Sequence, residues 1–105
     1  MNQEQRPTLP TIDTSYMIDF LTKLLNTPSP TGFSSKAIAL VEKELAAFPE
    51  VRTEWTRKGS LLAFLPGENG PEAPITRGLT AHVDTLSGMV REIKASGRLE
   101  LTSVG

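Results

Sequence analysis

The chain has 105 residues, 38% hydrophobic and 22% charged, a mix that fits a folded chain and excludes a disordered one. Its 11 basic and 12 acidic side chains leave a formal net charge of -1 with no basic stripe, so neither nucleic acid nor an anionic membrane surface is an expected partner. Cysteine is absent, which excludes disulfide staples and thiolate metal sites and leans toward a cytoplasmic setting.

The length fits one small domain or a piece of a larger one. Residues 1–12 are polar, carry Pro7 and Pro10, and read as a flexible leader; no apolar core flanked by basic residues marks a secretory signal. No apolar run approaches the roughly 20 residues of a membrane-spanning helix. Tyr16, Met17, Phe20, Leu21, Leu24 and Leu25 then recur at helical spacing, with Asp13 or Thr14 as N-cap. "NTPSPTG" ends that helix, because Pro28 and Pro30 lack an N–H and push their predecessors away from helical angles. A second helix is expected in "SSKAIALVEKELAAF". Ile38, Val41, Leu45 and Phe48 form its apolar stripe, Ser34 or Ser35 is its cap, and Glu42, Lys43 and Glu44 face solvent.

The period then changes to two. Val51, Thr53 and Trp55 alternate with polar residues, Lys58-Gly59 reads as a turn, and "SLLAFLP" reads as a more buried strand. Pro66 to Pro74 is a loop rich in glycine and proline. A third strand is expected from about Ile75 into "GLTAHVD", followed by a hairpin in "MVREIKASGRLELTSV" with Ser96-Gly97 in its turn and Leu99 and Leu101 on one face. The order predicts an α/β layer over 13–86 that gives way to a separate β unit over 87–105. Because Gly105 directly follows the last strand, that unit reads as interrupted rather than finished.

His82, the single histidine, stands two residues before Asp84. On a strand these side chains share a face with Thr80, Gly78 and Thr76, a small and polar set that leaves room beside the ring. A metal-binding imidazole gives one nitrogen to the metal and usually donates the other N–H to an acceptor such as a carboxylate. Ligands of open α/β sheets also bind beyond the carboxyl ends of strands. A His-x-Asp triplet recurs by chance, however, and taken alone it more often marks a satisfied polar group at a strand end than a metal site. A catalytic zinc takes three protein ligands, and the other aspartates, Asp13 and Asp19, lie on or near the first helix.

The longer context resembles the N-terminal part of the co-catalytic metallo-aminopeptidases that include glutamyl aminopeptidase and the tetrahedral aminopeptidases. "LLNTPSPTGF" resembles that family's helix end and Thr-Pro-Ser-Pro-Ser-Gly turn. "RKGSLLAFLPG" is similar to its Gly-Asn-Leu strand ending in Pro-Gly, and "LTAHVDTL" to its Ala-His-x-Asp motif. "MVREIKASGRLELTSVG" looks like the entry to its inserted β domain; together these cover about residues 14 to 105. The resemblance implies that His82 binds one of two catalytic divalent metals, usually zinc and sometimes cobalt, and that Asp84 is catalytic beside it. It further implies a metal-activated water attacking a peptide, an α/β sandwich interrupted by a PDZ-like β-barrel, and a twelve-subunit homo-oligomer. Ser87-Gly88 and Thr31 depart from the family pattern, and neither is expected to touch the metal chemistry. The family's remaining ligands and its general base fall beyond Gly105, so this chain alone is expected to be inactive.

Two other readings stand beside this one. A related metal-dependent amidohydrolase or dipeptidase also uses His-x-Asp, but usually with Val-Pro or similar after the aspartate, where this chain has Thr85-Leu86. A small non-catalytic α/β domain with a structural histidine fits the shortage of ligands.

Overall fold

A computed structural model of the chain describes residues 8–74 and 77–105. Helix α1 spans Thr14–Leu25 and helix α2 spans Ser35–Leu45. Strands β1 (Arg52–Trp55) and β2 (Leu61–Phe64) form one antiparallel pair, and β3 (Ser87–Ile93) and β4 (Leu99–Val104) form another.

The cap expected for α1 is present: Asp13 accepts the Tyr16 N–H at 3.0 Å, satisfying one of the free donors of the first turn. The other end closes with side chains. Asn26 Nδ2 donates to the Thr22 carbonyl at 2.9 Å and Thr27 Oγ1 to the Lys23 carbonyl at 2.8 Å. Pro28 then prevents the helix from continuing. Ser34 occupies the N-cap of α2 but makes no capping bond; its hydroxyl lies 3.5 Å from the Pro30 carbonyl instead. Ala37 is the buried apolar residue of α2, with Ile38, Val41 and Leu45 half-buried along the expected stripe and Phe48 exposed. Glu44 does not simply face solvent as expected. It accepts the Tyr16 hydroxyl at 2.7 Å and so ties α2 to α1.

Both hairpins use one turn. Thr56 and Ser60 flank Arg57-Lys58-Gly59, and Lys94 and Arg98 flank Ala95-Ser96-Gly97. In each, the glycine N–H donates back three residues and its φ is about 80°, the three-residue loop with a left-handed closing position that favours glycine. β1 and β2 pair Thr53 with Ala63 and Trp55 with Leu61, and the Arg52 guanidinium lies 4.1 Å above the Phe64 ring. β3 carries a bulge between Val90 and Glu92, and Arg91 and Lys94 both reach Glu100 on β4.

Two expectations need correction. No strand forms over 77–84, and Ile75 and Thr76, where that strand was to begin, lie outside the described residues. A strand exists only as part of a ladder, and the one pairing near this segment is a single parallel bridge between Pro30 and Thr85. "SLLAFLP" is not a buried strand either: Leu62 is 42% and Leu65 69% exposed, because among the described residues β2 pairs with β1 alone and no second layer covers it. The two sheets do not join, so helices and strands are present but no α/β layer is assembled among the described residues. The expected leader is exposed and irregular from Thr8 to Ile12; residues 1–7 lie outside the described residues.

The missing layer shows in the packing. Ala37 is the single buried hydrophobic residue among those described. The radius of gyration is 20.0 Å, whereas a compact chain of this length has about 13 Å. The accessible surface is 9921 Å², whereas a folded monomer of this length exposes about 5,800 Å².

Candidate functional site

The site is built where two distant segments meet. After α1, Pro30 to Phe33 make a tight turn: the Phe33 N–H donates to the Pro30 carbonyl at 2.8 Å and Gly32 takes a φ of 84°. A positive φ at the third turn residue is the type II pattern that calls for glycine. This places Thr31 at the corner of the turn. The same segment is clamped to residue 85, where the Thr85 N–H donates to the Ser29 carbonyl at 2.8 Å and Pro30 bridges Thr85 in parallel. Ser29 beneath is 2% exposed, and its own hydroxyl has no partner.

That clamp brings Thr31 to Asp84. Thr31 Oγ1 donates to Asp84 Oδ2 at 2.6 Å, and His82 Nδ1 lies 2.7 Å from Asp84 Oδ1. Each carboxylate oxygen thus meets a different donor. The Thr31 hydroxyl, and after it the His82 ring, hold the Asp84 carboxyl below its ordinary value of 3.8, so it is ionised at neutral pH. An ionised carboxylate only accepts, so the neutral ring must carry its proton on Nδ1. Nε2 is then the nitrogen with a free lone pair. The His82 side chain is 85% exposed and Asp84 34%, beside an open recess of about 430 Å³ lined by Thr31, Ile38, Lys58 and Gly59 among others.

His82 and Asp84 therefore meet as their i, i+2 spacing predicts, although the backbone between them joins no strand. Thr31 is a site residue that the sequence reading did not single out. Its hydroxyl is the second donor to Asp84, and its departure from the family's serine keeps that hydroxyl. The sequence holds one signal for this, since serine and threonine share the hydroxyl that the contact requires. Nothing local in the sequence brings residue 31 to residue 84.

Residues 59–105, which hold His82, Asp84 and the β3–β4 hairpin, match the family model for M42 glutamyl aminopeptidase. The protein named "Putative aminopeptidase YhfE" from Bacillus subtilis (strain 168) is 42% identical over 88 residues, covering 84% of this chain and 24% of that protein. Over these residues the chain is similar to the M42 glutamyl aminopeptidases. It spans about a quarter of the length of the curated relative it matches.

That family implies an α/β catalytic domain and a metal, so the fit of these residues to a metal can be tested on the donor set. His82 fits a single ligand position: one ring nitrogen is engaged by Asp84, and the side chain as a whole is exposed. Asp84 has both oxygens occupied by donors, which suits an orienting carboxylate. Among the described residues no group of three or more His, Asp, Glu or Cys converges on one point. These residues fit one ligand and its support, not a complete centre.

Proposed function

We propose that this chain is part of a metal-dependent aminopeptidase that removes N-terminal residues from peptides, with His82 as a metal ligand and Asp84 as the catalytic carboxylate beside it. The observation that carries this reading is the 2.7 Å contact between His82 Nδ1 and Asp84 Oδ1 inside the segment that matches the family. A bound divalent metal pair, zinc or cobalt, supplies an activated water and an electrophile for the peptide carbonyl. The chain's own part is narrower. Asp84 holds the His82 proton on Nδ1, which leaves Nε2 as the nitrogen of an exposed ring that can bind a metal.

In the full-length protein, His82→Ala should sharply lower bound metal by elemental analysis and abolish chelator-sensitive release of N-terminal amino acids. Unchanged metal content would overturn the assignment of His82. We further propose that the 105-residue chain by itself is inactive, since it brings one imidazole to the site; rapid, chelator-sensitive release by the purified chain would refute this.

The wider reading follows from the family. The chain divides into catalytic-domain residues 13–86 and the start of an inserted PDZ-like β domain over 87–105, and the whole protein assembles as a cytoplasmic dodecamer. Light scattering on the full-length protein tests the assembly, and a monomeric mass would overturn it. A non-catalytic domain with a structural histidine remains the competing reading, favoured by the single ligand among the described residues. The His82→Ala metal analysis separates the two.

A further inference from the structure

We infer that Thr31 is a positioning residue, whose hydroxyl locks the Asp84 carboxylate so that the proton of His82 stays on Nδ1 and Nε2 stays free. The inference deepens the proposed metal-ligand role of His82 and rests on it only for what Nε2 then binds.

The terminal torsion of an aspartate is soft and roughly two-fold, so a carboxylate held at one oxygen can swing. Asp84 is held at both. At 2.6 Å the Thr31 contact has the length of a hydroxyl bonded to an ionised carboxylate, about 2.5–2.7 Å. With Oδ2 pinned there, Oδ1 is left facing the ring at 2.7 Å. A histidine without that acceptor divides its proton between the two ring nitrogens, and a proton on Nε2 blocks that nitrogen.

Thr31 is itself braced from three sides. The Pro30–Phe33 turn sets its backbone, and the Pro30–Thr85 bridge sets its distance from Asp84. Gly105, just after β4, lies on the third side. A Cβ built on Gly105 comes 3.1 Å from Thr31 Oγ1 and 3.4 Å from Leu86 Cδ2. A bare glycine therefore leaves the hydroxyl the space in which it points at Asp84. Segments around residues 31, 85 and 105 converge to aim one hydroxyl, and no other contact recorded among the described residues gives that hydroxyl a partner.

In the metal-free full-length protein at neutral pH, the imidazole 15N resonances of His82, assigned by their loss in His82→Ala, should report the Nδ1–H form. Thr31→Val, which keeps the shape and removes the hydroxyl, should convert it to a mixture of both forms. It should also raise the midpoint of a zinc-ion titration followed on the same resonances by about 10-fold, the lower range for loss of a supporting partner. Thr31→Ser should restore both. A wild-type tautomer in Thr31→Val, or a failure of serine to rescue, would overturn the inference. If the tautomer responds as expected but zinc leaves the His82 resonances unmoved even in the wild type, the positioning role stands and the metal-ligand reading fails.

Discussion

Asp84 carries two donors on two oxygens, an arrangement that suits orienting the His82 ring. To bind a metal directly it would share an oxygen already engaged by Thr31 or His82, whereas orienting the ring needs no change. Asp84→Asn tests the difference, because it preserves shape while removing the charge and one acceptor oxygen. The full-length protein should keep its fold and lose metal affinity by about 10- to 100-fold, the range for removing the partner of a ligating histidine. Affinity equal to wild type in a zinc competition assay would mean that the carboxylate does not support the ring. The same scale applies to Asp13. Asp13→Ala removes the acceptor for the Tyr16 N–H and should destabilise α1 by about 1 kcal/mol, read as lost helical signal in circular dichroism.

Among elements, the α1–α2 pairing has a direct spectroscopic handle. Tyr16 is the single tyrosine, and its hydroxyl donates to Glu44 at 2.7 Å. That hydrogen bond, with smaller contributions from desolvation and from the Glu44 charge, raises the phenol above its ordinary 10.0. The group is neutral when protonated and its folded value exceeds the unfolded one. The bond therefore contributes fully below pH 10.0 and is lost as pH rises through the higher folded value. Phenolate absorbance should titrate above 10.0 in the wild type and return toward it in Glu44→Gln; equal midpoints would show that the helices do not meet there. In the hairpins, Gly97 at φ 80° closes the β3–β4 loop. Gly97→Ala forces a side chain into the left-handed region at a cost of about 1–2 kcal/mol. Hydrogen exchange at the Lys94 amide, which donates to Arg98, should speed by about 5- to 30-fold.

At the scale of the whole molecule the apolar faces lack a common core. Tyr16, Met17, Leu21 and Leu25 on α1 are exposed, as are Met89, Leu99 and Leu101 on the β3–β4 pair. The described elements do not cover them, and the 9921 Å² of accessible surface follows. Such faces bind a hydrophobic dye. The isolated chain should therefore enhance anilinonaphthalene sulfonate fluorescence and scatter X-rays with a radius of gyration near 20.0 Å. A value near 13 Å without dye binding would show instead that the faces close on one another.

The sequence by itself determined what local chemistry decides. Asp13 and the helical spacing after it placed α1, the proline pair ended it, and two glycines placed both hairpin turns, because caps, ring closure and positive φ act within a few residues. It also determined that His82 and Asp84 meet, since two residues of extended chain suffice. The burial of β2 and the strand over 77–84 do not form as the sequence suggested, because each depends on neighbours that alternation and apolar runs do not supply. Only the tertiary structure decided the second donor to Asp84. Thr31 lies 53 residues away, and its hydroxyl reaches the carboxylate because a turn and a parallel bridge fold the chain back to that point. A residue's pattern along the chain records which face it occupies. It does not record which distant hydroxyl will be brought within 2.6 Å of it, because that distance is set by every element in between.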